Sequence, residues 1–150
     1  MMRRVFFWRI SVVLFLSSVT MARAEMAVGL GYPTVSLKYD FLENVAAELK
    51  YADTGEGIRV FATRGSWKFN PKGKYETFAG AEIGQIKFDY EDTQGDGLEF
   101  SLFIGKEYRI RSWLGFAFDI APTLIRLNSS GKNNTGFELV ANVGFYWYVF

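Results

Sequence analysis

Residues 137–150 read FELVANVGFYWYVF, and the alternation in this stretch decides the fold. Phe137, Leu139, Ala141, Val143, Phe145, Trp147 and Val149 share one parity and are all apolar. Glu138, Val140, Asn142, Gly144, Tyr146 and Tyr148 share the other. A period of two belongs to a β-strand, whose successive side chains point to opposite faces.

The same pattern recurs toward the N-terminus. Over Trp113–Leu127, Leu114, Phe116, Phe118, Ile120 and Leu124 oppose Gly115, Ala117, Asp119, Ala121 and Thr123. Over Leu98–Ile110, Leu98, Phe100, Leu102, Ile104 and Tyr108 oppose Glu99, Ser101, Gly105, Glu107 and Arg109. Tyr75–Tyr90 changes phase: Tyr75, Ala79, Ala81 and Ile83 begin on one parity, while Ile86, Phe88 and Tyr90 end on the other. A bulge at Gly84 and Gln85 is predicted there. In Ile58–Phe69, Ile58, Val60 and Ala62 oppose Arg59 and Thr63. Val45, Ala47, Leu49 and Tyr51 oppose Glu48 and Lys50. The first segment shifts phase at Pro33, as either one bulged strand or two short ones.

Turn residues separate these segments: Glu43-Asn44, Asp53–Gly57, Asn70–Lys74, Asp92–Gly97, Arg111-Ser112 and Asn128–Gly136. With a further turn at Tyr32–Thr34 the chain has eight strands, and both termini fall on one side. The expected fold is all-β, a closed antiparallel up-and-down transmembrane barrel. Its external loops would be short, five to nine residues, and its first two strands short for a bilayer, which takes about 9–11 residues.

A soluble barrel puts its apolar face inward and its polar face in water. Here the polar face mixes charges with glycine and alanine, which serve no purpose on a wet surface. Inside a narrow barrel the small residues leave room for longer ones. The predicted lumenal charges are Lys38, Glu48, Lys50, Arg59, Glu82, Glu99, Glu107, Arg109, Asp119 and Glu138, of both signs and able to neutralise one another. Tyr90, Tyr108, Trp113, Tyr146, Trp147 and Tyr148 gather near strand ends, as interfacial girdles require. The alternative is a soluble periplasmic lipocalin-like barrel with an apolar ligand.

The first 24 residues differ in kind. Arg3, Arg4 and Arg9 open the chain, an apolar run covers Ile10–Val19, and Ala22-Arg23-Ala24 precedes Glu25. These are the three parts of a secretory signal, predicting removal of residues 1–24 and a barrel domain of residues 25–150. A membrane anchor would need about 20 apolar residues, and Arg9 interrupts the run. Cleavage removes four of the 17 basic residues, leaving 13 against 16 acidic ones and a mature charge of −3. No basic run remains, so nucleic acid is not an expected partner.

The chain has no cysteine and no histidine. Disulfides, the usual support of a small exported domain, are therefore excluded. So are Ser/His and Cys/His nucleophiles and a His/Cys zinc cluster. Asp53-Thr54-Gly55 copies the triplet of aspartic proteases, but Glu56-Gly57 follows it and a hairpin turn is the simpler reading. Asp92, Asp96 and Gly97 resemble part of a calcium loop whose twelfth position is Phe103, where a bidentate Glu is needed. Glu82 and Glu99 could pair as in a glycosidase, but a lumenal ion-pair network explains them more simply. No catalytic residue, cofactor or metal is expected.

The last nine residues resemble the C-terminal assembly signal of bacterial outer-membrane barrels. That signal runs polar, any, Gly, two of any, aromatic, any, then hydrophobic or aromatic. Asn142, Gly144, Trp147 and Val149 fit these roles, and Phe150 is one residue beyond the pattern. The resemblance implies recognition of the last strand by the barrel-assembly machinery. The whole mature region resembles the small OmpA/OmpX-type barrels in pattern rather than motif. It implies a non-enzymatic protein of the outer membrane, surrounded by lipid, with a structural or surface-interaction role.

Overall fold

The structure, a computed structural model, describes residues 25–31, 33–71, 73–90, 93–129 and 132–149. The expected signal peptide and Phe150 lie outside the described residues. Eight strands follow one another: β1 (Glu25–Gly31), β2 (Thr34–Leu42), β3 (Val45–Asp53), β4 (Ile58–Lys68), β5 (Tyr75–Tyr90), β6 (Thr93–Arg111), β7 (Leu114–Ser129) and β8 (Lys132–Val149). Each pairs antiparallel with the next, and β1 pairs with β8 to close the ring. The phase shift at Pro33 is thus a turn between two short strands.

Register fixes the shape of the ring. From Tyr51 the cross-strand partners run through Phe61, Gln85, Leu98 and Arg126 to Thr135 on β8. In the other direction they run through Val35 and Leu30 to Phe145, also on β8. The two ends differ by ten residues, which is the stagger of the barrel. For eight strands at ordinary spacings, that stagger inclines them by about 40° to the barrel axis. The ring is then narrow enough for side chains to fill.

The wall is inverted relative to a water-soluble domain. Leu37, Leu49, Phe61, Ile83, Phe100, Leu102, Ile104, Ile120, Leu124 and Val143 point outward and are exposed. Lys38, Asp40, Glu48, Arg64, Lys68, Glu76, Glu82, Glu107 and Asp119 point inward and are buried. The β4–β5 and β6–β7 end carries the exposed tryptophans of the described residues, Trp67, Trp113 and Trp147, together with Phe41, Phe69 and Tyr75. Tyr75 stacks on Tyr108 there, ring centroids 4.9 Å apart. Tyr146 and Tyr148, expected in a girdle, point into the lumen instead.

Three further expectations are corrected. No bulge interrupts β5 at Gly84 and Gln85, because pairing with β4 and β6 is continuous across both. What changes is the surroundings. Beyond Ile83 the outward residues are Gln85, Lys87 and Asp89, and Ile86 turns inward and is buried. β7 does the same: Arg126 and Asn128 face outward beyond Leu124, while Ile125 and Leu127 face inward. Second, Thr93–Gly97 and Lys132–Gly136 are strand rather than loop. Asp89↔Gln94 and Asn128↔Asn133 continue the ladders almost to the tips, so hairpins β5–β6 and β7–β8 stand above the rest. Third, Arg59 faces outward, for reasons given with the site below.

Turn chemistry explains the β3–β4 connection. Gly55 and Gly57 have φ of 72° and 83°, the left-handed region that glycine enters without strain. The Asp53 side chain accepts a hydrogen bond from the Gly55 amide at 2.9 Å, bracing the turn. The aspartate of the protease-like triplet is therefore exposed and turn-forming.

Inward glycines admit the large lumenal side chains. A Cβ on Gly80 would sit 2.6 Å from the Phe103 ring and 2.0 Å from the Gly65 carbonyl oxygen, whereas one on outward Gly65 would meet nothing within 4 Å. Gly80→Val should therefore destabilise the barrel by about 1–3 kcal/mol through overpacking. Gly65→Val should be neutral or mildly stabilising. Urea titration of the folded chain in detergent distinguishes these outcomes.

Candidate functional site: an ion-paired lumen

The lumen is organised in tiers. At the end nearest the chain termini, Lys68 donates to Asp40 at 2.6 Å and lies 3.3 Å from Glu76. Beside them, Arg109 donates to Glu25 at 3.1 Å and approaches Glu107 at 3.0 Å, its guanidinium 3.4 Å above the Tyr148 ring. Lys38 donates to Glu107 at 2.7 Å, and the Tyr148 hydroxyl donates to the same carboxylate. Glu107 is 1% exposed, so full pairing is what makes its charge tolerable there.

Arg64 dominates the middle tier. Its two terminal nitrogens reach the two oxygens of Asp119 at 3.0 and 3.2 Å, a bidentate pair. Its Nε lies 2.7 Å from Glu82, and Glu48 is 3.7 Å away. The guanidinium rests 3.8 Å from the centre of the Phe103 ring, a face that suits it. The surrounding acceptors are shared outward. Lys50 donates to Glu82 at 3.1 Å, Asn142 to Asp119 at 2.8 Å and the Tyr146 hydroxyl to Glu48 at 2.8 Å. Links such as Lys38 on β2 to Glu107 on β6, or Glu48 on β3 to Tyr146 on β8, cross the lumen between strands that are not neighbours.

These side chains, with Phe78 and Phe103, leave small spaces at mid-height, one of about 20 Å³ beside Arg64 and Glu107 and one of about 20 Å³ beside Lys50 and Asn142. On either side the lumen widens. A cavity of about 400 Å³ adjoins Asp40, Lys68, Glu76 and Arg109 at the terminus end. Another of about 330 Å³ adjoins Glu82, Glu99, Ser101, Thr123 and Glu138 toward the β3–β4 end.

Of the charges expected inside, Lys38, Glu48, Lys50, Glu82, Glu107, Arg109 and Asp119 meet in this network. Glu99 and Glu138 lie on the inward face above it, without an ion pair or hydrogen bond among the described residues. Arg59 does not face inward. It is exposed and stands opposite outward-facing Asp53 and Lys87. The physical reason is the parity of the bulky residues: Phe61 and Trp67 take the outer face of β4, which sends Arg64 and Lys68 inside and puts Arg59 out. Arg64, Lys68, Asp40, Glu76 and Glu25 were not anticipated. Extending parity backward from Trp67 and Phe69, rather than forward from Ile58, would have found the two cations.

The residues of the terminal signal lie along β8. Asn142 faces inward on Asp119, and Gly144 stands opposite Gly31 at the seam with β1. Trp147 and Val149 face outward opposite Val28 and Met26. Phe150 lies outside the described residues. Among the described residues no group of three or more His, Cys, Asp or Glu side chains could hold a metal ion.

Removing Arg64 should expose how far the lumen depends on it. Arg64→Met leaves Asp119, Glu82 and Glu48 facing one another and should cost about 3–5 kcal/mol, the usual penalty for orphaning buried charge. Adding Asp119→Asn should recover part of that loss. Arg59→Gln should stay within about 0.5 kcal/mol of the parent, as a substitution on the exposed outer face. Equal losses for Arg64→Met and Arg59→Gln in urea titrations would contradict this placement.

The chain is similar in structure to the N-terminal β-barrel domain of Pseudomonas aeruginosa OprF, known from a crystal structure. The TM-score is 0.55 at 14% sequence identity, covering 84% of this chain and 95% of that one. No protein-family model matches the chain. No curated protein matches it in sequence.

Proposed function

We propose that this chain is a non-enzymatic integral protein of a bacterial outer membrane, exported by a cleaved signal peptide, with a structural or surface-interaction role. The observation that carries this reading is the inverted wall. Large apolar side chains cover the outside while ion pairs fill the inside. In a bilayer the exposed face is dry, and closure of the ring pairs the strands' backbone groups with their neighbours, save along the β1-facing edge of β8 above Gly144. In water the same face would be a contiguous apolar surface far beyond what soluble monomers carry.

Three further features agree with it. The outer face turns polar at Asp53, Arg59, Lys87, Asp96 and Arg126, marking one rim of the apolar belt, and the aromatics at the opposite end mark the other. The eight-stranded fold it shares with the OprF barrel domain suits a membrane setting. The barrel-assembly machinery would recognise the C-terminal segment through Asn142, Gly144, Trp147, Val149 and Phe150, and lipid would be the principal partner of the belt.

A transport role through an open pore fits poorly, since the Arg64 tier fills the middle of the lumen. Catalysis fits poorly as well. The chain has no histidine or cysteine, and Glu82, the acid that could work with Glu99, is engaged by Lys50 and Arg64.

The test is to express the full precursor in a Gram-negative host, isolate outer membranes and compare unheated with boiled samples on a detergent gel. The expected result is a mature-size band in that fraction whose mobility shifts on boiling. A soluble periplasmic band without a shift would overturn the reading and favour a lipocalin-like carrier. Ile104→Arg, on the outer belt, should abolish or greatly reduce the shifted band, given the about 2–4 kcal/mol cost of a cation at mid-membrane. Glu99→Leu, on the inner face, should leave it intact.

A further inference from the structure

The wall of the barrel has one incomplete seam. β1 pairs with β8 only from Met26↔Val149 to Gly31↔Gly144. Above Gly144, β8 continues for a further dozen residues, and among the described residues its edge toward β1 has no backbone partner. Phe137 and Leu139 on this stretch are the most exposed large apolar side chains of the described residues, at 71% each. The outward side chains of β8 stay apolar up to Phe137, so the open edge from Phe137 to Val143 falls within the apolar belt rather than above it. Unpaired backbone there is costly unless it borders a polar or water-filled space.

Such a space lies behind it. The cavity of about 330 Å³ is bordered at the gap by Pro33 after β1 and by Ala141 and Asn142 on β8. Its floor and walls include Val60, Ala62, Ala121 and Val140, apolar and mostly small. Glu99 and Glu138 supply its upper polar side, and neither has an ion-pair or hydrogen-bond partner among the described residues. Lys50, the cation on this lining, is already held by Glu82. The cavity therefore combines apolar walls, a half-buried Glu99 and an exposed Glu138 that lack an ion pair or hydrogen bond among the described residues, and a gap in the wall at the level of the belt.

We propose that this cavity binds a small amphiphile with an ammonium head and a short hydrocarbon chain, admitted through the β1–β8 gap. The ammonium takes the Glu99 and Glu138 carboxylates, and the chain lies against Ala62, Ala121 and Val140. A cation can pair directly with two carboxylates that have no ion pair among the described residues, which an anion or a neutral alcohol of the same size does not do. The side entrance rests on the membrane reading above, whereas the cavity and its charge do not.

The test uses the mature chain, isotope-labelled and folded in phosphocholine-lipid nanodiscs, with its mobility shift on boiling checked first. Octylammonium, octanoate and octanol are titrated in separate samples while backbone amide shifts are followed. Octylammonium is expected to give saturable shifts at Ala62, Ala121, Thr123 and Val140, with octanoate and octanol at least tenfold weaker. Glu99→Gln combined with Glu138→Gln should weaken octylammonium at least tenfold while keeping the boiling shift, because neither acid supports the folded network. Ala121→Phe, which fills the cavity, should abolish the saturable shifts. Equal binding of all three probes, or no effect of the double substitution, would overturn the ammonium assignment. Absence of saturable shifts in a chain that shows the boiling shift would overturn the site itself. Loss of the boiling shift in the parent chain would instead count against the membrane reading. Saturable octylammonium shifts in that parent, folded in aqueous buffer, would then keep the cavity and discard the side entrance.

Discussion

Everything else in this molecule follows from the closure of eight strands at a stagger of ten residues. That geometry sets the tilt and the diameter together, leaving room for about one layer of side chains from opposite walls. Because the outer face is apolar along the belt, the polar side chains at that height are mostly confined to that space. Charge in the filled middle of so small a ring must pair, and the chain supplies partners from strands far apart in sequence. Arg64 is surrounded by Asp119, Glu82 and Glu48 from β7, β5 and β3. The network therefore acts as internal bracing across the ring, in a fold whose neighbouring strands are already joined by backbone hydrogen bonds.

Burying ionic groups is not in itself stabilising, since the desolvation of two charges offsets most of their attraction. Their value here lies in specificity. A strand slipped by one residue would turn its charges outward and its large apolar residues into a lumen with no space for them. The glycines reinforce this, since Gly80 faces Phe103 and Gly115 faces Glu107 at distances that leave no space for a side chain. The apolar belt outside and the paired charges inside thus enforce the same register from opposite faces.

Much of this was legible in the sequence, but unevenly. β6, β7 and the C-terminal half of β8 alternate large apolar residues with small or charged ones, and their faces can be read directly. β4 was harder, because Val60 and Ala62 are apolar yet face inward, lining the wide part of the lumen, and Ile58 shares their parity. Bulk distinguishes the faces there better than apolarity: Phe61 and Trp67 are outside, and Ala62 and Ser66 inside. The apparent phase change in β5 has a related cause. Apolar periodicity reports the side away from water, and above Ile83 that side becomes the interior, so the pattern inverts without any break in the ladder. Turn composition also misled at Asp92–Gly97 and Asn128–Gly136. Asn, Asp and Gly there continue a two-stranded ribbon, where backbone pairing alone sustains the strand. The bidentate partner of Arg64 could not be read at all, since Asp119 is 55 residues away and meets it only through closure.

The unequal strand lengths bear on how the ring comes together. β7 and β8 share sixteen paired positions and β5 and β6 share another sixteen, all between neighbours in the chain. The β1–β8 seam has six, and it joins the two ends of the domain. Hairpin formation at the C-terminal half closes short loops and gains many hydrogen bonds, whereas the seam closes the longest loop for the fewest. The C-terminal sheet is thus the natural template, β1 to β3 add to it, and the joint between first and last strand is the step with the greatest entropic cost and the smallest immediate return. That order makes the seam a latch: the last part of the barrel to form, and the first to loosen when the barrel is strained.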